Sequence, residues 1–109
     1  MAFITYDVSL ELVGALRPII ERLAAADRNL ADQVRRAASS VPLNLAEGGE
    51  RAGRDRAHSF HIAAGSAREV RAALQVALGW GYLAALDAAD ALAVLDRLGA
   101  LLYRLTHRA

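Results

Sequence analysis

The stretch DRAHSFHIAAGSAREVRAALQVALGW, residues 55–80, carries the periodicity that decides the fold. Its main apolar residues recur at alternating spacings of three and four, which places them along one side of an α-helix and is typical of helical bundles. They are Phe60, Ala63, Ala67, Val70, Leu74 and Ala77. We therefore expect a long helix that is capped by Asp55 and runs to about Trp80.

Three other segments show the same helical period. The first is predicted from Asp7 to Leu23, and the second follows an N-cap at Asp27 or Asn29. The last is predicted to begin at an N-cap at Asp87. Their apolar rows are Val8, Leu12, Leu16, Ile19 and Leu23, then Leu30, Val34, Ala37, Val41 and Leu45, and finally Ala91, Leu95, Leu98, Leu102 and Leu105.

Two prolines lie inside these helices, where a proline removes one backbone hydrogen bond. Pro18 predicts a kink in the first helix, and Pro42 a bend in the second. The glycine-rich segments at 48–53 and 79–82 predict turns. The sequence nowhere alternates apolar and polar residues with the period of two that is typical of a β-strand, so we expect an all-α fold. Four helices with short connections predict an antiparallel up-down-up-down four-helix bundle. Residues 1–109 are expected to form it as a single domain.

The composition favours self-association. Hydrophobic residues make up 55% of the 109 residues, which is more apolar surface than a bundle of this size readily hides. Alanine, which packs helices closely, offers an alternative explanation. The chain has no basic, apolar leader, and its longest apolar run, residues 72–86, is too short to cross a membrane. We expect a cytoplasmic homo-oligomer without membrane contact.

The sequence shows no catalytic machinery. It has no cysteine, no nucleotide-binding glycine loop and no framework for a serine nucleophile. Asp55, His58 and His61 share one side of the third helix, but no Glu-x-x-His motif of a di-iron bundle is present. We expect a protein that is not an enzyme, with no catalytic residue, no metal site and no cofactor.

Two rows of side chains, one on each of the two central helices, interrupt apolar surface with polar groups. A buried carboxylate needs a partner, so Glu69 is predicted to be mostly buried and paired with Arg36 or Asn44. The rows would fix helix register or hold subunits together. They are Arg36, Ser40, Asn44, Glu47 and Arg51 on the second helix, and Ile62, Ser66, Glu69, Ala73, Val76 and Trp80 on the third.

All 13 basic residues are arginine, and residues 28–71 hold eight of them against five acidic residues. Arginine suits phosphate groups, so weak and sequence-independent binding of RNA or DNA is predicted for this segment, although GC-rich codon usage also explains the bias. The expected binding residues are Arg28, Arg35, Arg51, Arg54, Arg56, Arg68 and Arg71.

Three motifs resemble those of the 23S rRNA intervening-sequence protein family: QVRRAASSVPLNLAEG at 33–48, GSAREV at 65–70 and LGWGYL at 78–83. The N-terminal helix departs from the family pattern. The motif positions matched residue by residue are Arg35, Arg36, Ser40, Pro42, Asn44, Glu47, Gly48, Gly65, Ser66 and Glu69.

The resemblance implies a four-helix bundle that assembles into a pentameric ring. It also implies kinship with accessory proteins of diversity-generating retroelements, which associate with a reverse transcriptase and nucleic acid. A scaffold for such a nucleic-acid-processing partner is therefore one expectation. The alternative is a structural or protein-interaction module without a nucleic-acid function.

Overall fold

A computed structural model describes residues 2–107, and their side chains from residue 4 onward. It contains four α-helices joined by short links: α1 (Ala2–Ala26), α2 (Arg28–Gly49), α3 (Gly53–Trp80) and α4 (Ala85–Thr106). Over residues 2–107 there is no β-strand. The all-helical prediction is confirmed.

Contacts between the helices establish an antiparallel bundle. Ser40 contacts Ser66, whereas Gly48, further along α2, lies against Phe60, which comes earlier on α3. In the same way, Glu11 pairs with Arg97 and Arg22 with Asp87, so α1 and α4 run in opposite directions. Each helix packs on two neighbours, in the order α1, α2, α3, α4 around the bundle. The helix pair α2 and α3 therefore lies opposite the pair α1 and α4.

The core consists of the apolar rows that the periodicity predicted. Every residue of the four rows is buried, except Leu105, which is partly buried against the core. Alanines fill a large part of α3's row, so this helix packs close to its neighbours. Burial of these rows is the main force that holds the helices together.

Helix α1 extends beyond the predicted Asp7–Leu23 at both ends. The start was missed because the buried side chain before Asp7 is that of Thr5, a polar residue that extends no apolar row, and the buried Ser9 likewise interrupts the apolar pattern. Ser9 tolerates burial because its hydroxyl donates a hydrogen bond to the Tyr6 carbonyl oxygen at 2.6 Å. Both α1 and α2 continue through their prolines, Pro18 and Pro42.

The predicted caps hold for α2 and differ for α3 and α4. Asp27 is the N-cap of α2 and accepts a hydrogen bond from the Leu30 amide at 3.0 Å. Helix α3 begins at Gly53, so Asp55 lies in its first turn, where its charge favours the helix dipole. Asp87 also lies inside its helix, and its carboxylate accepts from the Ala84 amide at 2.9 Å. Asp87 therefore caps α4 from within the first turn.

Candidate functional site

A cluster of polar side chains joins α2 to α3 at mid-length. The Ser66 hydroxyl donates to the Ser40 hydroxyl oxygen at 2.8 Å. The Asn44 amide donates to the same Ser40 oxygen at 3.0 Å and to the Ser40 carbonyl oxygen at 2.9 Å. All three side chains are half-buried. We refer to Ser40, Asn44 and Ser66 as the polar seam, which joins two members of the predicted polar row on α2 to one member of the row on α3.

The predicted burial of Glu69 is wrong. Its side chain is exposed, as is that of Arg36, and neither makes an ion pair or hydrogen bond within residues 4–107. The seam therefore does not extend to these two residues. The physical reason is that the row containing Glu69 lies at the edge of α3's buried surface, where long side chains reach water.

Glu47 is also outside the seam, although it lies on the same row of α2. Its carboxylate is exposed and accepts two hydrogen bonds from Arg51, at 3.0 Å from Nε and 2.6 Å from Nη2. These hydrogen bonds raise the pKa of the Arg51 guanidinium. The pair closes the last turn of α2 and leaves the seam with uncharged groups only.

The seven arginines predicted to bind nucleic acid lie at the surface, with six exposed and Arg71 half-buried. Arg28, Arg54 and Arg68 make no ion pair or hydrogen bond to another described residue. Three others are paired with carboxylates, and these pairs are Arg35 with Asp32, Arg51 with Glu47, and Arg71 with Asp96 at 2.5 Å.

Arg56 is held differently from the other six. Its Nε donates to the Arg51 carbonyl oxygen at 2.9 Å and to the Gly48 carbonyl oxygen at 3.2 Å. It therefore satisfies carbonyl groups at the end of α2 and ties the α2–α3 turn to the first turn of α3. Its remaining guanidinium nitrogens are available to an anion.

Neither a metal centre nor a catalytic cleft is evident among the described residues. Asp55, His58 and His61 are exposed, and no three acidic or histidine side chains of residues 4–107 are close enough to share a metal ion. A shallow groove of about 80 Å³ lies on the surface between α3 and α4, and Arg68 and Arg71 are among its lining residues. No helix within the described range combines the length and apolar character needed to cross a membrane.

Sequence reasoning missed the exposed apolar side chains as candidate functional residues. Leu43 is 68% exposed and Leu86 is 87% exposed. The available signal was that both leucines stand outside the predicted apolar rows. The large apolar residues that the structure leaves exposed are Leu43, Ile62, Val76 and Trp80 on α2 and α3, and Ile4, Leu10, Leu86 and Tyr103 on α1 and α4.

Comparisons with known proteins agree with the bundle and its motifs. Residues 2–104 match the family model described as 23S rRNA-intervening sequence protein. A solved structure of a protein of unknown function from the S23 ribosomal protein family of Bacteroides thetaiotaomicron is similar, with a TM-score of 0.84 and 18% sequence identity. The alignment covers 95% of this chain and 99% of that one. At this identity the likeness shows the fold alone. No curated protein is similar enough to count as a match.

Proposed function

The chain belongs to the 23S rRNA-intervening sequence protein family, and from that premise we propose that it is a non-enzymatic, homo-oligomeric bundle that binds RNA or DNA weakly and without sequence preference. The family resemblance favours a pentamer, and we expect it to act in the cytoplasm. The resemblance also favours a role as scaffold for a reverse transcriptase or another nucleic-acid-processing partner.

One observation carries the nucleic-acid part of the proposal: three of the seven arginines predicted to bind nucleic acid have no partner of any kind within the described chain. Arg28, Arg54 and Arg68 are exposed and unpaired among the described residues. A guanidinium without a carboxylate partner binds a phosphate without first breaking an ion pair. Arg35, Arg51 and Arg71 are paired at the surface, where such pairs are weak enough to exchange for phosphate.

Assembly is needed because one chain is nearly neutral, with a net charge of +1. A symmetric ring repeats each exposed arginine, so one strand of nucleic acid meets several copies of the same group. Base stacking contributes little, because only Trp80 combines a large aromatic ring with strong exposure on α2 and α3. Contacts to phosphate alone give binding that does not depend on sequence.

Fluorescence anisotropy of a labelled single-stranded RNA and a duplex DNA tests the proposal, with the purified oligomer at low and physiological salt. We expect binding to both, with an affinity that falls steeply as salt is added. Replacing Arg28, Arg54 and Arg68 together by Gln should weaken binding and flatten the salt dependence by roughly one unit of slope per lost phosphate contact. No binding at low salt would overturn the nucleic-acid function.

The matched control for this experiment replaces three arginines, Arg17, Arg22 and Arg97, by Gln. All three are exposed on the opposite helices, α1 and α4, and Arg22 and Arg97 are paired with a carboxylate. This variant should bind nucleic acid like the unmodified chain. An equal loss in the control would mean that total charge, rather than the arginines of α2 and α3, governs binding.

A second candidate function is a protein-interaction module without a nucleic-acid role. The eight large apolar side chains that are exposed within residues 4–107 favour it, because apolar surface is what protein partners usually cover. Loss of nucleic-acid binding together with retained self-assembly would make this second function the better one.

A further inference from the structure

The exposed apolar side chains fall into two groups on opposite sides of the bundle. We define the α2–α3 side as the patch formed by the exposed apolar residues of α2 and α3, and the α1–α4 side as the patch formed by those of α1 and α4. Arg68 lines the groove between α3 and α4 and lies outside the first patch. We propose that the α2–α3 side of one chain docks on the α1–α4 side of a second copy, so that subunits associate head to tail. The inference rests on the proposed self-assembly and adds which surfaces make it.

Apolar surface supplies the first argument. Among the residues whose side chains the structure describes, each side exposes four large apolar residues, with Leu43 and Val76 on one and Ile4 and Leu86 on the other. Along α3, Ile62, Val76 and Trp80 share the row of Ser66, which faces α2 through the seam. Ile4 lies two helical turns from Glu11, whose partner is on α4. Both sides therefore carry apolar groups where two helices meet.

Charge supplies the second argument. Helices α2 and α3 carry seven arginines against four acidic residues, whereas α1 and α4 carry four arginines against six acidic residues within residues 2–106. The two sides are thus complementary in sign, which favours contact between unlike sides over contact between like sides. Arg36 and Glu69 on the α2–α3 side have no partner within the described chain and are available to a neighbour.

Head-to-tail contact has a geometric consequence. When two different surfaces of one chain bind each other, every subunit offers a free surface for the next, and the assembly closes as a ring if the rotation allows. A two-fold dimer would instead use a single self-complementary surface. The presence of two unlike and opposite sides therefore favours a ring.

Two variants that each disable one side test the inference. Leu43→Glu with Val76→Glu blocks the α2–α3 side, and Ile4→Glu with Leu86→Glu blocks the α1–α4 side. All four residues are exposed, so the bundle should fold, and circular dichroism checks this. Size exclusion with light scattering should give a single-chain mass of 11.6 kDa for each variant alone.

Mixing the two variants distinguishes head-to-tail from two-fold contact. Each retains one intact side, so an equimolar mixture should form a complex of two chains and no larger species. The control adds glutamates at the exposed Ala24 and Ala46. Each lies about 200° around its helix from a residue that faces the other helix of its side, because Arg22 pairs with α4 and Asn44 bonds within the seam. The control should therefore assemble like the unmodified chain.

Three outcomes would overturn the inference. The first is full assembly of either blocked variant, and the second is failure of the mixture to pair. The third is an unmodified chain that is itself a single subunit, which would also remove the proposed oligomer. In the first two cases the unmodified chain still assembles, so the results contradict the head-to-tail contact but not the proposed oligomer.

Discussion

At the scale of single residues, Gly48 is a glycine of α2 that packs directly against Phe60 of α3. A Cβ atom built there would lie 2.5 Å from Cε1 and 2.8 Å from Cδ1 of Phe60, whose ring is buried. A ring held in the core has little room to move, so Gly48→Ala should lower the free energy of unfolding by about 1–3 kcal/mol. Urea denaturation at a fixed chain concentration measures this.

The neighbouring Gly49 is the control for this substitution. A Cβ at Gly49 meets nothing within 4 Å, and the residue ends the same helix. Gly49→Ala should leave stability unchanged or raise it by up to about 1 kcal/mol, because alanine favours helix. If both substitutions had the same effect, helix propensity rather than the contact with Phe60 would explain it.

Glu69 shows what residue spacing leaves undetermined. Its spacing from Ser66 correctly predicted that the two share a row on α3. A row, however, can face the core or lie at its edge, and the long glutamate side chain at the edge reaches water while the shorter Ser66 remains half-buried. Residue spacing therefore predicts which residues share a row, but it does not predict which members of that row are buried in the seam.

At the scale of helices, Asp27 is the residue that starts α2. Its carboxylate accepts the Leu30 amide, which otherwise has no partner inside the helix. Asp27→Ala should therefore lower the free energy of unfolding by about 0.5–2 kcal/mol, and Asp27→Asn should retain most of the stability. Thermal unfolding of the two variants measures this difference in stability. An equal loss of stability in both variants would show that the negative charge of Asp27, rather than its hydrogen bond to the Leu30 amide, stabilises α2.

The polar seam predicts energetic coupling between α2 and α3. Ser40→Ala removes the hydroxyl oxygen that accepts from both Ser66 and Asn44. The single variants Ser40→Ala and Ser66→Ala should each cost about 1 kcal/mol, and the double variant less than their sum, because one shared hydrogen bond is lost in either case. Urea denaturation of the four chains gives the coupling energy, and strictly additive losses would show that water replaces the bond.

Helix ends were harder to predict than helix centres. The row of α3 could be read from the sequence because apolar residues repeat along its whole length. Its start could not, because Gly53 begins the helix after an N-cap, Ala52, that makes no side-chain hydrogen bond. The conformation of the α2–α3 turn, rather than a capping side chain, sets that start.

At the scale of the whole molecule, composition predicted an excess of apolar surface but not its location. The rows assign core positions by spacing, and residues outside them can point to water anywhere around a helix. Only the order of the helices around the bundle shows that Leu43 and Leu86 lie on opposite sides. Because the exposed apolar residues lie on two opposite sides of the bundle, the proposed association has a defined contact between one side and the other.

If assembly creates the nucleic-acid surface, a variant that cannot assemble should lose affinity although it retains every arginine. The chain with Leu43→Glu and Val76→Glu should bind single-stranded RNA at least roughly tenfold more weakly at equal chain concentration, because the repeated patch is gone. Its two added carboxylates also repel phosphate, so the assembled chain with Ala24→Glu and Ala46→Glu, which carries the same added charge, is the reference. Fluorescence anisotropy at low salt compares the two variants. Equal affinities would mean that a single bundle binds by itself and that the ring adds no avidity.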